Sequence, residues 1–458
     1  MDTAFAPRYY EENRHRILED YFNLLKIPTV GAEERHLGDC ARAAAWLKAW
    51  LRPLGFECEI FTPDEGLPVP VLFAERNTGA ATTVLFYGHY DVQPPDPLEL
   101  WETQPFMPTL KEDGRVYARG AQDDKGQFFS FLNGMRALIE QGGPLPNLKI
   151  VLEGEEENGS MALFNLLPKL AERLQADVLL VCDTAAAPED RPAIVAGLRG
   201  VQHFTLELTG PDYDLHSGAH GGLAPNPAQG IAELVASLHR PDGGIAVEGF
   251  EDGVCPPSPE ELKLAAEGEP SPEAYERETG VAPVGGEAGV STVERGCFRP
   301  TIEVNGIHSG YAGAGSKTII PSKAFAKISI RLVPDQSTRH VFECIERHVK
   351  AHCPKGMTAS IAELHLGAPG FRLNVNAPIF HIAAEELRKL DGRGAVFHWE
   401  GASIPVVSEL RRVSGGEPLL VGFGQEKDKI HSPNESFGLD QFRRGMTWAT
   451  LILDALGR

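Results

Sequence analysis

Four apolar runs, each followed within a few residues by acids or a histidine, constrain this chain more than anything else in it. Val84-Leu85-Phe86-Tyr87 runs into Gly-His89-Tyr-Asp91-Val, and Leu148–Leu152 runs into Glu153-Gly-Glu-Glu156-Glu157-Asn. Val178–Val181 runs into Cys182-Asp183, and Leu419–Phe423 leads towards Ile430-His431-Ser-Pro-Asn. Between the first two lies Ala121-Gln-Asp123-Asp124-Lys-Gly126. Open α/β sheets place ligands outside the carboxyl ends of their strands, so acids and histidines that each follow an apolar run converge on one crevice. That is the geometry of a metal site.

The periodicity between these runs predicts what carries them. Residues 9–26 and 37–51 read as helices, and Cys40, Ala43, Ala44, Leu47, Trp50 and Leu51 fall on one face of the second. Strands are expected around 56–61, 69–75 and 82–87. Phe128, Phe131, Leu132, Met135, Leu138 and Ile139 recur at helical spacing, which puts the Asp123-Asp124 pair at or just before a helix N-terminus, where ionised carboxylates are favoured. Strand 148–152, helix 160–173 and strand 177–182 continue an alternating β/α pattern with a substantial parallel part.

The pattern changes near Gly197-Leu-Arg-Gly200. A strand at 201–209, a helix at 228–238, strands near 301–304 and 326–332, a helix capped by Asp335 and running to about 351, and a strand at 357–364 suggest a small α/β sandwich. Residues 250–298 are rich in Pro, Gly and Glu and read as an irregular excursion with short helices. A helix from about 375, strand 418–423 and a final helix 439–456 follow, and they carry His431. The second domain is therefore expected as an insertion, with 1–198 and 373–458 forming one domain and 199–372 the other.

A chain of 458 residues, 42% hydrophobic and 23% charged, buries a sizeable core. Its formal charge of −21 argues against nucleic-acid or anionic-membrane partners, which need a positive field. The seven cysteines are scattered without a Cys-x-x-Cys pair, and the N-terminus lacks the basic and apolar regions of a signal peptide. A cytoplasmic location fits. No Gly-x-Gly-x-x-Gly follows the early strands, which disfavours a dinucleotide-binding oxidoreductase.

Two divalent ions about 3.5–4 Å apart need a shared carboxylate plus separate His and carboxylate ligands. Asp123 can bridge, with His89 and Asp183 on one ion and Glu157 and His431 on the other. Mixed imidazole and carboxylate donors without thiolate suit Zn²⁺, and Mn²⁺ or Co²⁺ also fit. Cys182, ending an apolar strand, reads as core packing. Asp91 can accept the second ring N–H of His89, and Glu156 can take a proton from a bridging water and pass it to a leaving amine. Spacing alone does not say which of Glu155, Glu156 and Glu157 coordinates.

Gly88-His89-Tyr-Asp91-Val-Gln-Pro94, Arg119-Gly-Ala-Gln-Asp123-Asp124-Lys-Gly126, Glu153-Gly-Glu-Glu156-Glu157-Asn-Gly-Ser160 and Asp214-Leu-His216-Ser-Gly218 resemble the dinuclear-zinc family of aminoacylases, carboxypeptidases and dipeptidases. That family includes carnosine dipeptidases, glutamate carboxypeptidase and acetylornithine deacetylase, and the similarity spans nearly the whole chain. The resemblance implies a zinc-peptidase-like three-layer α/β/α catalytic domain interrupted by an α+β lid that commonly forms a homodimer. It implies His89, Asp123, Glu157, Asp183 and His431 as ligands, Asp91 as the orienting acid and Glu156 as the general base. It also implies that His216 reaches the active site of a partner subunit to polarise the scissile carbonyl.

Ala314-Gly-Ser-Lys317-Thr318-Ile-Ile-Pro321, Ser329-Ile-Arg331-Leu-Val-Pro334 and Glu400-Gly-Ala-Ser403-Ile-Pro405 are similar to segments of cytosolic nonspecific and carnosine dipeptidases. There, His216, Thr318, Arg331, His365, Gly401 and Ser403 would hold the substrate and its terminal carboxylate, which an Arg fork suits bidentately. Trp399 stands where such relatives have Arg, Ala402 replaces a Gly, and Ala118 replaces Gly before Arg119, which bears on side-chain selectivity. The expected function is hydrolysis of dipeptides or short peptides with a free C-terminal carboxylate. Deacylation of N-acyl amino acids is the alternative on the same centre, and a metal-binding regulatory protein would lack a ligand or the base, which this chain does not.

Overall fold

The four apolar runs fold side by side. In the computed structural model, which describes residues 2–62, 69–401 and 404–458, the strands Asn147–Glu153, Thr83–His89, Val178–Val181 and Glu417–Leu420 are parallel neighbours in that order. Val71–Arg76 and then Glu57–Phe61 extend the sheet antiparallel beyond Asn147–Glu153. Val195 pairs with Leu420 at the other side. The parallel strands are buried nearly throughout, as expected where helices cover both faces.

Register shows that both faces are covered. Phe86 lies level with Ile150 and Leu180, and its ring stacks on Phe131 of the helix Lys125–Glu140 at 4.0 Å and 5°. Tyr87 lies level with Val151, which pairs with Phe73, and the Arg173 guanidinium of the helix Met161–Leu174 sits 4.5 Å above the Phe73 ring. Adjacent residues of a strand point to opposite faces, so the two helices lie on opposite sides of the sheet. Helices Phe5–Leu25 and Leu439–Leu456 pack outside Lys125–Glu140, with Tyr21 against Phe129 and Phe442. This is a three-layer α/β/α arrangement. Gly126 is required by packing, because a Cβ there would run into the Ala121 carbonyl oxygen.

Two compact units divide the chain. Met1–Ala196, Leu373–His398 and Val406–Arg458 make the first, and Gly197–Arg372 with Trp399–Pro405 makes the second. The sequence pattern puts the breaks after 198 and 372, within two residues of these. The piece 399–405, assigned by sequence to the final part, clusters with the second unit because the Trp399 ring packs on Phe298 at 5.2 Å and the Arg199 Nε donates to the Gly401 carbonyl at 3.2 Å.

The second unit is a four-stranded antiparallel sheet in the order Thr301–Ser309, Lys323–Leu332, Gly200–Thr209, Thr358–Ala368. Phe204, Leu206, Leu208, Ile328 and Ile330 turn to one face and form a core with Ile231 and Leu234 of the helix Pro227–Ala236 and Val341 and Ile345 of the helix Thr338–Ala351. Asp335 does not cap the latter helix. It occupies a left-handed turn at φ 73°, and Ser337 supplies the cap by accepting the His340 N–H at 3.3 Å. Residues 250–298 carry three short helices, Pro259–Gly268, Pro272–Thr279 and Thr292–Cys297. Among the described residues no helix is long and apolar enough to cross a membrane.

Candidate metal centre

All five sequence-assigned ligands belong to the first unit, and the strand ends bring them together. His89 closes the strand Thr83–His89, Asp183 follows Val178–Val181 by two residues, and Glu157 sits in a short turn after Asn147–Glu153. Asp123 precedes the helix Lys125–Glu140, and His431 is held at φ 59° in the loop after Glu417–Leu420. Asp123 stands between the two histidines. Its Oδ1 lies 3.2 Å from His89 Nε2 and its Oδ2 lies 2.9 Å from His431 Nε2. Asp183 Oδ2 is 3.5 Å from His89 Nε2, and Glu157 Oε2 is 3.2 Å from His431 Nε2.

These donors form two groups. Asp123, Glu157 and His431 each offer a ligand atom within 4.8 Å of the others, and so do His89, Asp183 and Asp124. Asp124 received no role from sequence. It is fully buried, its Oδ2 accepts the His89 backbone N–H at 3.2 Å, and its Oδ1 is buried without a hydrogen-bond partner among the described residues. The signal was present in the Asp-Asp pair, but nothing in the spacing gives the second acid a separate task.

The electrostatics call for cations. Among the described residues no Lys or Arg forms an ion pair with Asp123, Asp124, Glu156, Glu157 or Asp183. Burial raises the pKa of Asp183 and of Glu157, with Asp123 adding to the latter, and pushes Asp124 well above the usual carboxylate range with help from Asp183. Asp123 goes the other way: burial opposes its charge, but hydrogen bonds to His431 and His89 hold it low. His89 Nε2 is buried without a geometrically sound hydrogen bond although two carboxylates lie within 3.5 Å. A lone pair aimed at carboxylate oxygens is repulsive until a cation or a proton comes between them. The donor set fits divalent ions.

Asp91 is fully buried and does two things. Its Oδ1 lies 3.3 Å from His89 Nδ1, on the ring edge opposite the cluster, and its two oxygens accept the backbone N–H groups of Glu156 and Glu157 at 3.2 and 3.0 Å. It therefore orients the imidazole and fixes the turn that carries both glutamates. Gln93 Nε2 donates to Glu157 Oε2 at 2.8 Å. Among the described residues Glu156 has no side-chain hydrogen-bond partner, and its carboxyl is driven well above the ordinary range, chiefly by burial, with Asp183, Glu157 and Asp91 adding. Cys182 is buried, with its thiol driven up by desolvation.

Sequence also missed Glu435, four residues after His431. Its carboxylate is buried and takes the Arg119 Nη1 at 2.9 Å and the backbone N–H groups of Gly120, Gln122 and Asp123 at 2.9, 2.9 and 3.1 Å. No periodicity marks it, because the segment is neither helix nor long strand.

The remaining sequence candidates belong to the second unit. His216 is exposed, its Nδ1 accepts the Gly218 N–H at 3.0 Å, and the Ser217 N–H donates to the Thr318 carbonyl at 3.0 Å. Strand alternation puts Arg331 and His365 on the sheet face opposite the core, where the His365 and His203 rings lie 4.5 Å apart. Arg331 and Arg199 line a cavity of about 620 Å³ together with residues such as Glu269, Tyr275 and Arg295. Gly401 is held through its carbonyl by Arg199, and Ser403 lies outside the described residues.

The model of peptidase family M20/M25/M40 matches residues 85–455. The chain belongs to this family. It is 32% identical over 397 residues to the Cys-Gly metallodipeptidase dug1 of Schizosaccharomyces pombe, covering 84% of this chain and 82% of that one. It is 31% identical over 382 residues to the Beta-Ala-His dipeptidase of Homo sapiens, covering 81% of this chain and 75% of that one. The structure of the di-peptidase Dug1p from Saccharomyces cerevisiae superposes with a TM-score of 0.84 at 26% identity, covering 100% of this chain and 98% of that one. This M20 chain is thus a metallopeptidase-family hydrolase with an α/β fold.

Proposed function

We propose that this M20 chain hydrolyses the peptide bond of dipeptides and other short peptides with a free C-terminal carboxylate, using two divalent ions of which Zn²⁺ suits the donors best. The observation that carries this is Asp123, whose two oxygens face two imidazoles that each have further carboxylates beside them. His89 and Asp183 would hold one ion, Glu157 and His431 the other, and Asp123 both. Bound divalent ions supply Lewis acidity, lowering the pKa of a water and polarising a carbonyl. The names of the dipeptidase relatives support the substrate class.

The residues then divide the work. Glu156 accepts a proton from the attacking water and delivers it to the departing amine. A carboxyl whose pKa is raised by burial holds a proton more readily than an exposed one, which suits it to take the proton and pass it on. Asp91 keeps the His89 ring in one tautomer, its main-chain carbonyl accepting at Nδ1 and its Oδ1 lying 3.3 Å from the same nitrogen. Arg331, Thr318, His365, Gly401 and Ser403 are the proposed carboxylate and substrate contacts. His216 of the partner subunit is proposed to stabilise the oxyanion, in a cytoplasmic homodimer formed through the second unit.

The test is a panel of free dipeptides, C-terminally amidated dipeptides and acetyl- or succinyl-amino acids, assayed on metal-stripped and Zn²⁺-loaded protein. Turnover of free dipeptides that needs metal supports the proposal. Preference for the acyl-amino acids would move the chain to deacylation, and turnover unaffected by stripping would overturn the metal assignment.

A further inference from the structure

Three segments must be held at fixed separation for one carboxylate to serve two ions, and one buried ion pair touches all three. Arg119 is 1% exposed. Its Nη1 donates to Glu435 Oε2 at 2.9 Å, its Nη2 donates to the Pro94 carbonyl at 3.1 Å, and its Cζ lies 5.4 Å from the Trp101 ring. Pro94 is five residues after His89, and Glu435 is four residues after His431. Glu435 Oε1 takes the backbone N–H groups of Gln122 and Asp123, and its Oε2 takes that of Gly120 as well as Arg119.

We propose that Arg119 and Glu435 are a positioning pair that sets Asp123 relative to the segments carrying His89 and His431. The inference rests on the dinuclear assignment of Asp123 and deepens it. A buried Arg–Glu pair is a weak source of stability, because desolvation offsets most of its attraction and an apolar pair of similar volume does as well. An apolar pair cannot accept three backbone N–H groups from an irregular loop. Those groups have no ladder to join, since residues 118–124 belong to no strand or helix, and each would otherwise be a buried donor without a partner. Glu435 thereby fixes the amide of the bridging residue itself, and Arg119 ties that junction to the exit of the strand Thr83–His89.

Groups that orient metal ligands from behind are worth roughly 10- to 100-fold in metal affinity when removed. Glu435→Gln and Arg119→Lys in the full chain test the inference, read as Zn²⁺ affinities by chelator competition, ions per chain after dialysis, melting temperature of the metal-free protein, and kcat and KM separately. Each Glu435 oxygen accepts two donors, so in Glu435→Gln the amide N–H₂ faces two N–H groups that it cannot accept, and Zn²⁺ binding is expected to weaken about 10- to 100-fold. Activity should fall in kcat more than in KM and recover in part at high Zn²⁺. Arg119→Lys keeps the charge but loses the fork, and should show a smaller loss of the same sign.

A purely structural role would lower the metal-free melting temperature and leave both Zn²⁺ affinities at the wild-type value, and that result would overturn the inference. If Glu435→Gln does not fold, Arg119→Lys decides by the same readout. Failure of both to fold would also overturn it, by making the pair a requirement of the fold. His431→Ala separates this inference from the assignment beneath it. If the wild type and His431→Ala bind Zn²⁺ alike, the two-ion assignment fails; if they differ while Glu435→Gln matches the wild type, only the positioning role fails.

Discussion

Loading Zn²⁺ onto the metal-free protein should expel protons, and the charges around the two imidazoles give the sign. Burial opposes a charge on His89, but Asp123, Asp183 and Asp91 outweigh it and hold its pKa well above the ordinary value. Asp123 and Glu157 lift His431 to about 10. His431 therefore carries an extra proton at pH 7 in the metal-free fold, the carboxylates around His89 favour one there as well, and both rings must be neutral to donate a lone pair to an ion. The sign follows directly. A proton held below a raised pKa competes with the metal, so affinity rises with pH, by about one decade per pH unit for each proton displaced. For two ions and two imidazoles the overall binding constant should rise by about two decades per unit between pH 6.5 and 8. The raised carboxyls of Asp183 and Glu157 can only add to this. The His431 side chain is 53% exposed, so water screens part of its interaction. Calorimetric titration with Zn²⁺ at pH 7 in buffers of different ionisation enthalpy gives the count of protons released from the slope of heat against buffer enthalpy. Two or more protons per two ions are expected. Release of fewer than about one, or an affinity that falls as pH rises, would refute the electrostatic account of the site.

Glu156→Gln should retain two ions per chain and lose most turnover; metal loss measured by atomic emission would instead make Glu156 a ligand. His216→Ala should lower kcat roughly 10²–10³-fold, and mixing its subunits with Glu156→Gln subunits should restore part of the activity in heterodimers; verified subunit exchange with no recovery would count against action across the dimer. Arg331→Ala should raise KM about 10- to 100-fold for free dipeptides and much less for amidated ones, with equal effects sinking its assignment. Phe131→Ala, which removes the ring stacked on Phe86, should cost about 3–5 kcal/mol in urea unfolding of the metal-free protein, and a loss under about 1 kcal/mol would contradict the packing described.

The parallel strands and the convergence of the five proposed ligands were legible because both depend on simple regularities. A strand buried on both faces is an unbroken apolar run, and a ligand at its carboxyl end must follow that run closely. His89, Asp183 and Glu157 obey this, and His431 only loosely, eleven residues beyond Leu420. Glu435 and Asp124 were not legible, since their roles come from where an irregular loop folds back, which no periodicity encodes. The excursion at 250–298 held clues that its Pro and Gly content masked. Ser258-Pro259 and Ser271-Pro272 each place a capping hydroxyl before a proline at the first helical position, and both hydroxyls accept the expected N–H. Asp335 misled for the opposite reason, being a good cap residue placed two positions before the actual cap.

Asp91 touches the His89 ring on one side and the amides of Glu156 and Glu157 on the other. One carboxylate thus makes two strand exits a single mechanical part. Substitutions at His89, Asp91, Glu156 and Glu157 will not combine additively, and laboratory evolution of this region should meet steep fitness valleys, crossed only when changes on both exits arrive together.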